Sequence, residues 1–342
     1  MAKLKRITSR SAAYAYVAPR LRSYRLLSLE QDLFTLRGYV GDLKAFLQVL
    51  RTTSIAPYLP EEEPGLADAE LAAWRMYADI LAELAPIIPP DADPIHNFYY
   101  TYTISRDLML IGKTALQGGR VGELEELVAP ESPEVGRVFE RTVEAGFIGF
   151  MEGLREIGYK DAVAILEAAE ASTPSIVDLA LDIEVLSAAK RARKSVGGLA
   201  ASILCPRMDI VALRTVSNVM SQKLPEDVLS ALRSRFTCCK LPRDQLVAAF
   251  SWQDLGSLAA LLRETPYGTA SGEAYEALSE QYELIRRASR KRLIGGLAAS
   301  PFDPATIAAM LELLLLDIED LAILLVAAYT GNEELAERIT VA

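Results

Sequence analysis

The chain has 342 residues, more than the ~250–300 at which one hydrophobic core usually stops growing, so two or more cooperating units are expected. Hydrophobic residues make up 51% and charged residues 24%, a balance that excludes wholesale disorder. The net charge of −10 and a pI near 4.9 argue against a general nucleic-acid coat and leave no nucleic-acid partner expected. The three cysteines, Cys205, Cys238 and Cys239, cannot make a disulfide framework, and the chain reads as a reduced, intracellular protein. A single histidine, His96, excludes any site needing two imidazoles, a di-iron helix bundle included.

In chain order, the first 25 residues hold seven bases (Lys3, Lys5, Arg6, Arg10, Arg20, Arg22, Arg25) and no acid, without the apolar run of a signal peptide. Residues 61–93 then hold nine acids against Arg75 alone. Ser132-Pro133-Glu134 is a helix entry: a capping serine, a proline at the first helical position and an acid in the first turn. Leu224-Pro225-Glu226-Asp227 and Leu241-Pro242-Arg243-Asp244 are two more. Residues 273–296 begin with Glu273, Glu276, Glu280 and Glu283, turn basic from Arg286 to Arg292 and close on Gly295-Gly296; this polarity complements a helix dipole. Asp303-Pro304 opens a long apolar helix that stops at Gly331. That segment, Ile307 to Tyr329, carries Glu312, Asp317, Glu319 and Asp320, too many acids for a membrane span. Alternating β-branched runs are scarce, so no sheet is expected and the fold class is all-α.

Three segments carry Leu-Arg and then a tyrosine: LRTTSIAPY from Leu50, LREIGY from Leu154 and LRETPY from Leu262. Three more carry an aspartate before an apolar helical pattern: DLMLIGKTAL from Asp107, DIVALRTVSN from Asp209 and DIEDLAILLV from Asp317. Each leucine precedes its aspartate by 57, 55 and 55 residues, and GGLAAS recurs from Gly197 and Gly295. This order predicts three copies of one helical unit, at 1–119, 120–232 and 233–342, in a pseudo-threefold, funnel-like body. Asp107, Asp209 and Asp317 are then equivalent structural positions, each packed against a helix end or paired with an arginine.

Signals for chemistry are weak. Gly112-Lys113-Thr114 resembles the end of a phosphate loop, but the glycine required five positions earlier is Asp107, and the surroundings read as helix interior. Asp317-Ile318-Glu319-Asp320 suggests a magnesium-binding acidic pair, yet the segments at Asp107 and Asp209 supply no second motif. Cys238-Cys239 lacks the companions of a zinc site, Glu61-Glu62-Glu63 reads as a solvated loop, and His96 as a surface or packing residue. No catalytic residue, cofactor site or metal site is expected. Charge placement carries more. Lys190, Arg191, Arg193 and Lys194 precede one Gly-Gly pair, and Arg286, Arg287, Arg290, Lys291 and Arg292 precede the other. Equivalent places in a threefold body would gather this positive charge at one end, suited to an acidic protein partner; dipole complementation accounts for part of it.

The chain resembles the C-type subunit of archaeal and bacterial A/V-type rotary ATPases (ATP synthases), the counterpart of the d-type subunit of eukaryotic V-ATPases. The resemblance rests on Tyr14-Ala-Tyr16, Arg20-Leu-Arg22 and Leu26-Leu27 near the start, the Leu…Thr…Tyr endings at 50–58 and 262–267, and the repeat order. Ala212 and Asp320 stand where the family has asparagine, and Val326-Ala327-Ala328 replaces a basic segment. The resemblance implies a non-catalytic central-rotor subunit, a funnel of three helical subdomains on the membrane proteolipid ring that receives the central stalk of subunits D and F. It would transmit torque for proton or sodium transport coupled to ATP, as a peripheral protein on the cytoplasmic face of the cell membrane, with no small-molecule substrate. A helical-repeat adaptor of another membrane-associated complex and a helical enzyme are the competing readings.

Overall fold

A computed structural model describes residues 10–25, 28–125, 127–128, 132–169, 173–251, 255–273, 275–299 and 301–341. Lys3, Lys5, Arg6 and the Leu26-Leu27 pair lie outside them. The helices are α1 (Arg10–Arg25), α2 (Glu30–Arg37), α3 (Leu43–Leu50), α4 (Leu66–Leu84) and α5 (Asp93–Leu116). There follow α6 (Pro133–Glu156), α7 (Lys160–Ala168), α8 (Ser175–Val196), α9 (Gly198–Met220) and α10 (Glu226–Arg235). The series ends with α11 (Arg243–Ala249), α12 (Leu255–Leu262), α13 (Tyr275–Leu297) and α14 (Pro304–Thr330). The fold is all-α, as expected. The expectation of no sheet needs one small correction: Glu264–Thr265 and Gly268–Thr269 pair antiparallel, in the third Leu-Arg…Tyr segment, where Pro266-Tyr267 turns the chain.

The expected helix entries form for the reasons the sequence suggested. Ser132 accepts from the Val135 amide at 3.2 Å with Pro133 in the first turn. Asp303 accepts from the Ala305 amide at 2.8 Å, and Gly331, left-handed at φ 67°, closes α14. Pro225 and Pro242 immediately precede α10 and α11. The stop expected at Gly295-Gly296 lies inside the last turns of α13 instead. Gly296 is needed there for packing: a β-carbon would stand 2.6 Å from both Ala309 Cβ and Ile203 Cδ1.

The chain divides into two compact units, one of Met1–His96, Val196–Ile203 and Ser289–Ala342, the other of Asn97–Ser195 and Leu204–Ala288. In the first unit α14 packs on α4 and α2. It is buried on nearly every side from Pro304 to Ala328, the pattern of a core helix rather than a surface one. No helix among the described residues is long and apolar enough to cross a membrane. His96 is buried, its Nε2 2.8 Å from the Leu81 carbonyl oxygen, so it is a packing residue. In the second unit, a disulfide joins Cys205 on α9 to Cys239. This corrects the expectation of reduced thiols for that pair: the fold brings together cysteines 34 residues apart, which spacing alone does not reveal.

Candidate functional site

Charged residues in the core come first, because burying charge is costly unless it is paired. Asp317, on α14, is 1% exposed. It accepts from the Ser28 hydroxyl at 2.7 Å and the Leu29 amide at 3.1 Å, just before α2. Arg290 on α13 reaches it at 2.7 Å and reaches Asp320 at 3.2 Å. Asp320 in turn accepts from the Thr340 amide at 3.0 Å and hydroxyl at 2.6 Å. Two carboxylates thus share one guanidinium and tie the approach to α2, the last turns of α13 and the C-terminal residues to α14. Burial pushes Asp317 up to about 6, against the pull of Arg290.

Asp209, on α9, is also fully buried. It accepts from the Cys239 and Lys240 amides at 2.6 and 2.9 Å, shortly before α11, and from the Tyr267 hydroxyl at 2.6 Å. Burial raises its pKa, with Tyr267 and the amides opposing. Asp209 and Asp317 are therefore structural aspartates at helix entries, and Asp317 also has its arginine. The short helices they hold begin alike, Leu29-Glu30-Gln31-Asp32 and Leu241-Pro242-Arg243-Asp244. Asp107 is buried on α5 with the Arg106 guanidinium 3.5 Å away.

Other buried acids of the second unit escaped sequence reading. Asp182 on α8 takes Arg214 Nε at 3.1 Å through both carboxylate oxygens. Glu184 accepts from the Asp161 and Ala162 amides at 3.1 and 3.3 Å, capping α7; burial raises its pKa and those amides oppose the rise. The only signal was an acid at an otherwise apolar helical position. Gly112-Lys113-Thr114 lies in the last turns of α5 rather than in a strand-to-helix loop, with Lys113 paired to Asp178 at 2.9 Å. A β-carbon on Gly112 would stand 2.5 Å from the Phe150 ring, so this glycine serves helix packing. Among the described residues no group of His, Cys, Asp and Glu side chains could hold a metal ion.

The basic clusters divide by burial. In the last turns of α8, Lys190, Arg191 and Lys194 are exposed and Arg193 is half-buried; Arg191 stands 3.7 Å from Glu184. Toward the end of α13, Arg287 and Lys291 are exposed, Arg292 is half-buried and Arg286 is buried. Arg290 is committed to Asp317 and Asp320, with its Nε 2.7 Å from the Thr340 hydroxyl. The sequence placed all nine bases together; Arg286 and Arg290 belong to the interior, where the helical position of each base, invisible in a count of charges, puts it.

The molecule is thus an all-α scaffold whose buried acids and arginines hold helix ends, with exposed bases at two helix C-termini. Residues 20–338 match the family of the ATP synthase (C/AC39) subunit. The chain belongs to that family and is a V/A-type ATPase subunit, associated with the ATPase complex. A comparison with curated proteins finds no match.

Proposed function

We propose that this subunit is the non-catalytic socket of the rotor, joining the central stalk of subunits D and F to the membrane proteolipid ring and carrying torque between them. The observation that carries the reading is the family match over residues 20–338. The use of buried charge agrees with it. Asp209, Asp317 and Asp320 take their donors from other parts of the same chain, Arg290 among them, as a rigid transmission element requires. In this reading the protein sits peripherally on the cytoplasmic face of the membrane and needs no cofactor. The exposed Lys190, Arg191 and Lys194 at the end of α8 meet an acidic surface of the stalk, where exposed charges act mainly on association rate and salt dependence.

Removal of this subunit from the membrane ATPase, followed by its return, tests the reading. Without it, ATP hydrolysis by the catalytic head continues and ion transport stops; adding it back restores coupling. Transport that stays coupled in its absence would contradict the socket. Loss of hydrolysis by the detached head itself would point to a catalytic role.

A further inference from the structure

The helix α6 is not one rod. Gly146, at φ 61° and ψ −140°, breaks it. In a continuous helix Val138 and Gly153 would lie about 22 Å apart at 1.5 Å per residue, yet a β-carbon on Gly153 would stand 2.9 Å from Val138 Cα. A β-carbon on Gly149 would stand 1.9 Å from the Arg141 carbonyl oxygen, and Arg141 donates to Glu156 at 2.9 Å. The two halves therefore fold back as an antiparallel helical hairpin. Gly149 and Gly153 let the arms approach to backbone contact, and Gly146 supplies the left-handed turn that L side chains resist.

The tip of this hairpin is apolar and exposed. Val143 is 52% and Ile148 69% exposed, Ala145 is exposed and Phe147 half-buried. Phe147 lies 5.7 Å, ring to ring, from the fully buried Phe150, which fixes the tip to the interior. Around this tip exposed acids outnumber exposed bases, Glu140, Glu144, Glu152 and Glu156 against Arg141 and Arg155; Arg141 stands 3.9 Å from Glu144 and donates to Glu156, and Arg155 donates to Glu167. A rigid apolar knob with an acidic collar is a protein-recognition element. The collar repels an anionic bilayer surface and fits an apolar groove with a basic rim.

We propose that the α6 hairpin tip is a docking knob, with Val143 and Ile148 as anchors, that inserts into an apolar groove rimmed by lysine or arginine on another subunit of the ATPase complex. The proposal rests on family membership and is independent of the basic helix end assigned to the stalk. Polar replacement at exposed positions leaves the fold intact, so the test is direct. The ATPase complex stripped of this subunit is immobilised, and binding is measured for the unaltered chain, for Val143→Ser/Ile148→Ser and for Glu144→Lys. The double variant should bind at least tenfold more weakly at unchanged melting temperature, and Glu144→Lys should bind several-fold more weakly. Unchanged affinity of the double variant would overturn the proposal. So would binding of the unaltered chain to phosphatidylglycerol vesicles that the double variant loses, because the knob would then be a lipid anchor. If the double variant melts early, Ile148→Gln alone, which keeps Val143 and a long side chain, decides the same question. The socket reading fails separately, if transport stays coupled when the subunit is removed, whatever the tip variants do.

Discussion

Asp317 and Asp209 are each buried on a long helix and accept from the chain just before a short one, yet their surroundings differ. Asp317 shares Arg290 with Asp320 and receives one hydroxyl and one amide. Asp209 receives two amides and a phenol, and its loop is fastened covalently by the disulfide from Cys205, one helical turn before it, to Cys239. A buried carboxylate can thus hold a helix entry with quite different donors. The first unit relies on a charge; the second relies on backbone amides and a covalent link.

That difference can be broken from either side. Arg290→Ala leaves two carboxylates buried without their cation and should destabilise the protein by about 3–5 kcal/mol in urea unfolding. Reduction of Cys205–Cys239, with a 34-residue separation, should lower stability by about 3–4 kcal/mol on the loop-entropy account. Its melting transition should shift with dithiothreitol, and a Cys205→Ala/Cys239→Ala variant should show no such shift. Asp209→Ala should cost about 1–3 kcal/mol for each buried donor left without an acceptor, and more once the disulfide is reduced, because both fasten the same loop.

Acid sharpens the comparison. Asp317 binds its proton more tightly in the folded protein, at about 6, than in the unfolded chain, near the ordinary ~3.9. Its contribution is therefore fully present below about pH 4 and lost as the pH rises through about 6. In a pH series, unfolding free energy should slope downward between about pH 4 and 6 from this residue, and Asp317→Asn should flatten that part of the curve; an unchanged slope would contradict the burial argument. The smallest effect belongs to Lys113→Met. Its partly exposed pair with Asp178 should contribute no more than about 1 kcal/mol in thermal unfolding.

What the sequence disclosed was local. Ser132, Asp303 and Gly331 act within one turn of their own helices, so capping chemistry identified α6 and α14. Asp107, Asp209 and Asp317 stood out because each is an acid within an apolar helical pattern, and all three are buried. The partners were not legible. Cys205 meets Cys239, Arg290 meets Asp320 and Asp182 meets Arg214 only through helix packing. The hairpin in α6 hid behind several glycines, Gly136, Gly146, Gly149 and Gly153, of which one turns the chain and two are spaces for the opposing arm. The basic clusters were found as composition, but the split between surface bases and the buried Arg286 and committed Arg290 depends on helical phase.

The proposal that exposed bases receive the stalk, while the buried Arg286 and the committed Arg290 serve the fold, is tested most directly by one titration. Association of the isolated chain with a purified complex of subunits D and F is measured against salt concentration, for the unaltered protein and for Lys190→Glu/Arg191→Glu/Lys194→Glu. Association of the variant should be at least tenfold slower at low salt and converge on that of the unaltered protein at high salt, with no more than a small drop in melting temperature from the reversed helix-end charges. Equal association at low salt, together with a lowered melting temperature, would show that these bases serve only their helix ends and would contradict the socket.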